Sequence, residues 1–163
     1  MPTIISRCKI VKFLPLPRQA IAAVLERGHG LDEDACLAAL NFSEGSIGRA
    51  QDLLNSSVFA NKNQLIDEFM RTDTAQARYK KNDLLHIIKI LYSWHRDILV
   101  SRCGKTELLI NADRKEALKD LAANISFEEI MRRLNSLEEI YNSIQLNANL
   151  ELAQTALSVK LNK

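Results

Sequence analysis

Between about residue 74 and residue 102, Leu84, the adjacent Ile87 and Ile88, Leu91, His95 and Ile98 fall at helical three- and four-residue spacings. That spacing keeps one face of a helix continuously apolar. Leu85, Tyr92 and Leu99 widen the stripe on one side, which predicts that this longest helix, from about Thr74 to Arg102, is central. A second stripe, Phe127, Ile130, Met131, Leu134, Leu137, Tyr141 and Ile144, predicts another long helix. Ser126 and Glu129 at its start form a capping-box pattern, flanked by Ile125 and Ile130 as a hydrophobic staple. A short amphipathic helix is expected at "NQLIDEFMRT", another beginning at Asn111 or Asp113, and a last one after Asn147 or Asn149. The polar "NSSVFANKN" (55–63) reads as a linker or helix start.

Upstream the pattern shortens. "PRQAIAAVLERG" has Pro17 in a first helical turn, Ile21, Val24 and Leu25 on one face, and Gly28 as a stop. "LDEDACLAALNF" and "EGSIGRAQDLLNS" follow, with Asp32 and Ser46 as N-caps. Ahead of them, "PTIISRCKIVKF" is rich in β-branched and aromatic residues and reads as a lone strand. "FLPLP" (13–17) separates it from the helices. The expected fold is all-α. A strand remnant and its motif (1–14) precede a three-helix domain (15–58), and a larger helical bundle (62–163) follows.

Composition adds limits. At 47% apolar and 26% charged residues, the 163-residue chain is that of a soluble globular protein. Twenty-two basic and twenty acidic residues leave a net +2, too little to require nucleic acid as partner. Cys8, Cys36 and Cys103 are far apart and unpaired in sequence, which argues against zinc and against a disulfide framework. No apolar run reaches the ~20 residues of a membrane span and no signal peptide is visible, so the expected location is cytoplasmic.

Autonomous chemistry finds little support. His86 and His95 lie half a turn apart around one helix, and with His29 they read as core or boundary residues rather than metal ligands. "GHG" (28–30) and "EGSIG" (44–48) lack the Lys-Ser/Thr of a phosphate loop. "RYKK" (78–81) is a basic run that is either a solvated face or a nucleic-acid contact through Arg78, Lys80 and Lys81. Taken by itself, Arg7 reads as a surface arginine.

Ser6-Arg7-Cys8 within "TIISRC", a strand, and then Gly45, Ser46 and Ala50 in "GSIGRA" resemble the clamp-loader branch of the AAA+ ATPases, most closely the delta-prime subunits of bacterial DNA polymerase III. "WHRDILV" (94–100), "LLINAD" (108–113) and "NANLELAQTAL" (147–157) extend the resemblance to the end of the chain. It implies that an ATPase core, with its phosphate loop and zinc-binding cysteines, precedes residue 2. It also implies that residues 2–13 are the cut end of that core, and residues 1–14 are expected to be poorly ordered or displaced. The three short helices would be its lid, and the larger bundle the collar that holds the subunits in a ring. Subunits that hydrolyse ATP carry an arginine three residues after the lid glycine; here that position is Gly48, with Arg49 next to it.

The resemblance assigns Arg7 the role of an arginine finger acting in trans, with Ser6 positioning the backbone and Cys8 packing as an inert neighbour. A guanidinium supplied by a partner stabilises the charge that spreads over phosphoryl oxygens. No cofactor is implied in this stretch. ATP and magnesium would be bound by partner subunits, and the family's zinc site would lie outside it. The implied partners are the gamma/tau and delta subunits and, through the complex, the sliding clamp and primed DNA. The chain would be no enzyme on its own but a component of the polymerase III holoenzyme. Leu85, Tyr92 and Leu99 are candidates either for a collar interface or simply for core. Two other readings stand: a gamma/tau-like motor fragment, and an autonomous helical adaptor or nucleic-acid-binding domain.

Overall fold

The computed structural model describes residues 7, 9, 11, 13–29, 39–71 and 78–161, without the side chains of 26–29. Among these residues every regular element is a helix and none is a strand. Lys9, Val11 and Phe13, expected in the opening strand, are exposed and not in strand conformation; a strand without a neighbour has no ladder to hold it. The rest of the expectation for residues 1–14 lies mostly outside the described residues, as do Asp32, Cys36 and most of the second short helix.

The chain falls into two compact units, Met1–Gln51 and Asp52–Lys163. In the first, α1 spans Arg18–His29, and α2 (Ile47–Leu54) begins there. Pro17 sits just outside α1 rather than in its first turn: its carbonyl accepts from the N–H groups of Ala20 and Ile21, the role of an N-cap carbonyl. Ile21, Leu25, Ala39 and Ala50 are buried in this unit. Ser46 starts α2 as expected, its hydroxyl accepting the Arg49 N–H at 3.4 Å.

In the second unit a short helix α3 (Ser57–Ala60) occupies part of the expected linker. It leads into α4 (Lys62–Met70), α5 (Lys81–Arg102), α6 (Lys115–Asn124), α7 (Phe127–Gln145) and α8 (Leu150–Leu161). α5 is central: α3, α4, α6 and α7 all pack on it, while α8 lies against α7 and α4. Leu84, Ile87, Ile88, Leu91, His95 and Ile98 are buried as the stripe predicts, and Ile90, Ser93, Trp94 and Asp97 are buried too.

α5 begins later than its pattern suggests. Residues 78–80 are not helical, because the Gln154 side chain on α8 captures both backbone groups of Tyr79. Its Oε1 accepts the Tyr79 N–H at 3.3 Å and its Nε2 donates to the Tyr79 carbonyl at 3.0 Å. The helix ends where Gly104, at φ +74°, turns the chain. Lys105 N–H then reaches the Val100 carbonyl and Gly104 N–H the Ser101 carbonyl, a Schellman close. Asn147, at φ +64°, closes α7 in the same way, through the carbonyls of Ile144 and Ser143.

The capping box at α7 is half formed. Ser126 Oγ accepts the Glu129 N–H at 3.1 Å, but the Glu129 carboxylate turns to Arg132 and Arg133. Hydrogen bonding to Arg132 above all, opposed by burial and reinforced by Arg133, lowers the Glu129 pKa to about 2. Phe127, expected in the apolar stripe, is exposed in the first turn.

Candidate functional site

Two of the bundle's three sequence motifs meet at one buried polar cluster. "WHRDILV" supplies Arg96 and Asp97 from α5, Ser93 stands just before it, and "LLINAD" supplies the turn at 110–113. Asp97 Oδ2 accepts three hydrogen bonds, from the backbone N–H of Ile110 at 2.9 Å and of Asn111 at 2.6 Å, and from Asn111 Nδ2 at 2.9 Å. Its other oxygen takes Arg96 at 2.7 Å. The same guanidinium nitrogen donates to the Leu108 carbonyl at 3.1 Å. A carboxylate with this many donors is compensated for the loss of water.

Lys62, from α4, closes the cluster. Although only 8% exposed, its ammonium donates to Asn111 Oδ1 at 3.2 Å and to both Asp113 oxygens at 3.1 and 3.2 Å. Burial pushes the Asp113 carboxyl up, but the Asn63 hydrogen bond and the Lys62 charge leave it below its ordinary value. Beside the cluster Arg114 bonds Asp67 at 2.7 Å, and its guanidinium stacks 4.9 Å above the Trp94 ring, a cation–π contact. All these charges are answered within the chain. The motif residues therefore fasten the 103–114 segment and α4 to α5, and present no assembled reactive group.

The histidines separate as their spacing implies. His95 is buried; its Nδ1–H donates to the Leu91 carbonyl at 2.7 Å, and Nε2 has no partner among the described residues. Burial holds its pKa down at about 4. His86 is half-buried, its Nδ1 3.2 Å from Ser56 Oγ, and burial and then the Lys89 charge lower its pKa. A polar groove runs past it, lined also by Asp52, Asp83, Lys89 and Tyr141. The His29 side chain lies outside the described residues. Cys103 is a free, exposed thiol, and among the described residues no group of three metal-ligating side chains forms.

Two of the three cations in the basic run have partners at the surface. Arg78 pairs with Glu151 at 2.9 Å and Lys81 donates to Asn147 Oδ1 at 2.8 Å. Of the candidate interface residues, Tyr92 is 40% exposed while Leu85 and Leu99 are half-buried. Leu146, Leu152 and Val159 are exposed apolar residues outside the stripes and interface candidates expected from sequence. Leu152 is 70% and Val159 48% exposed on α8, and Leu146 stands clear just before it. The signal for them was present: α8 is apolar on more of its circumference than the bundle covers.

In the first unit, Arg7 is exposed at a turn; Ser6 and Cys8 lie outside the described residues. No described residue lies within 4 Å of where a Gly48 side chain would begin, and Arg49 pairs with Glu44, both side chains exposed. Gly45 is at φ +81°, and its carbonyl accepts the Leu16 N–H at 2.9 Å. No described helix is long and apolar enough to cross a membrane.

Residues 58–161 match the model of the family described as DNA polymerase III, delta subunit, C terminal. The chain belongs to this family. It is thus a component of the polymerase III clamp-loader assembly, as the motif resemblance implied. The match covers α4 to α8 and the whole Lys62–Asp97–Asn111 cluster, and leaves the Arg7 and Gly45–Arg49 motifs upstream. No curated protein and no solved structure matches the chain.

Proposed function

We propose that this chain is the lid and collar portion of a delta-prime-type clamp-loader subunit, a cytoplasmic component that does not itself hydrolyse ATP. It helps load the sliding clamp onto primed DNA by holding gamma/tau and delta subunits in register. It also supplies Arg7 to ATP and magnesium bound by its neighbour.

Family membership of the bundle carries this reading as far as the clamp loader. Gly48 carries it further: it stands where the resemblance places an arginine in ATP-hydrolysing subunits, and Arg49 is paired to Glu44. A lid with glycine at that point has no side chain there to offer a nucleotide phosphate. The collar role draws support from the inward-facing motif charges and from the apolar residues left outside, Tyr92, Leu152 and Val159. An exposed arginine at residue 7 suits a finger that acts on a neighbour's substrate.

The test is DNA-stimulated ATPase of a reconstituted clamp loader whose subunit carries Arg7→Ala. We expect turnover to fall at least about tenfold, below the full 10³–10⁵ of the best-studied arginine fingers. Unchanged turnover would remove the finger assignment. Tight ATP binding by the isolated full-length subunit would point instead to the gamma/tau-like motor. Salt-dependent DNA binding by this chain alone, lost on neutralising Arg78, Lys80 and Lys81, would favour the autonomous adaptor.

A further inference from the structure

In "FLPLP", Pro15 and Pro17 have no N–H, so Leu16 carries the single backbone donor of residues 15–17. That donor bonds the Gly45 carbonyl at 2.9 Å, joining the lead-in segment to the turn that opens α2. The approach is closer than any other residue allows. A Cβ built on Gly45 would lie 2.4 Å from Pro15 Cβ, 2.8 Å from Pro15 Cα and 3.1 Å from Leu16 N. The clash is with a rigid ring and with backbone, neither of which rotates away. The φ of +81° adds a second demand for glycine. Ser43, whose carbonyl takes the Ser46 N–H at 3.0 Å and whose hydroxyl donates to the Leu40 carbonyl at 2.9 Å, holds the turn from the other side.

We propose that Gly45 is a positioning residue: its bare backbone is the seat on which Pro15 and Leu16 rest, and this seat sets the direction in which the Arg7-bearing segment joins the lid. The glycine of the Gly-Ser motif therefore keeps a task in a lid that offers no arginine to nucleotide. Arg7 is eight residues from the seat, so a displaced junction moves the guanidinium relative to the neighbour's phosphate without altering any group that touches it. This last step rests on the finger reading above; the seat does not.

Two measurements test the proposal and separate it from that reading. Amide hydrogen exchange of Leu16 reads the seat directly. It is expected to be slow in the unaltered chain and at least tenfold faster in Gly45→Ala, with Ala50, bonded to the Ser46 carbonyl, still protected as evidence that the lid is folded. Gly45→Asn tells a seat from a mere turn. Asparagine tolerates the left-handed conformation, yet its Cβ meets Pro15 as alanine's does, so it is expected to expose Leu16 equally. Fast exchange in the unaltered chain, or full protection in Gly45→Asn, overturns the seat.

In the reconstituted complex, Gly45→Asn is expected to lower DNA-stimulated kcat several-fold with KM for ATP unchanged, whereas Arg49→Ala changes neither. If Arg7→Ala lowers kcat and Gly45→Asn does not, Gly45 does not position the finger and the proposal fails while the finger stands. If Arg7→Ala has no effect, the finger falls, and the seat is decided by Leu16 exchange alone.

Discussion

Asp97 and Asn111 are joined twice: the same carboxylate oxygen accepts the Asn111 backbone N–H at 2.6 Å and its side-chain N–H at 2.9 Å. Asp97 is wholly buried, so these bonds form without competing water. Through them the long central helix holds the turn that positions α6. Asp97→Ala leaves the N–H groups of Ile110 and Asn111 without their acceptor. It should cost roughly 3–5 kcal/mol, the range for breaking a buried charged pair. Urea unfolding followed by the fluorescence of Trp94, the chain's one tryptophan, checks this. A loss below ~1 kcal/mol would mean that water takes over the role.

His95 makes stability depend on pH. Its pKa is about 4 when folded, against an ordinary value of 6.5, so between those values the unfolded chain binds a proton that the folded chain does not. Stability is therefore highest above pH 6.5 and falls as pH drops toward 4, by about 3 kcal/mol in all. His95→Leu should flatten this part of the profile, which unfolding midpoints from pH 7.5 to 4 would show. Equal slopes for the two proteins would refute the assignment.

Gly104 and Asn147 do the same work at the ends of α5 and α7. A side chain at Gly104 meets no described residue within 4 Å, so its φ of +74° is what resists substitution. Gly104→Ala should cost about 1 kcal/mol, and Gly104→Asn less than half of that. Thermal melts of the two variants separate backbone strain from packing; equal losses would contradict it.

The basic run should contribute little to DNA affinity. Arg78 and Lys81 already have partners in the bundle. Neutralising Arg78, Lys80 and Lys81 together is expected to leave the salt dependence of any DNA binding by this chain almost unchanged. A slope shallower by close to three, the value for three lost phosphate contacts, would reverse this conclusion.

Much of the architecture was legible because its causes are local. The stripe of α5 and the Ser126 cap of α7 follow from residues a few positions apart. The late start of α5 was not legible, since Gln154, which holds Tyr79 out of the helix, is far along the chain. The half-made capping box has a nearer cause: Arg132 and Arg133, one turn on, compete for Glu129. In the candidate site, the motif letters Arg96, Asp97, Asn111 and Asp113 were visible but not their common purpose, and Lys62 gave no sign of being buried.

The sequence by itself determined the all-α class of the described residues, their main helix faces and most of their helix ends. Helical period, caps and breaks act over one or two turns and need no distant partner. Only the tertiary structure decided where the charges go. Lys62, Asp97 and Asn111 form one cluster, and Leu16 finds Gly45, because packing brings distant backbone and side chains to within 3.2 Å. Which polar group answers which donor is set by that approach, since a buried hydrogen bond forms only where folding has already removed the water.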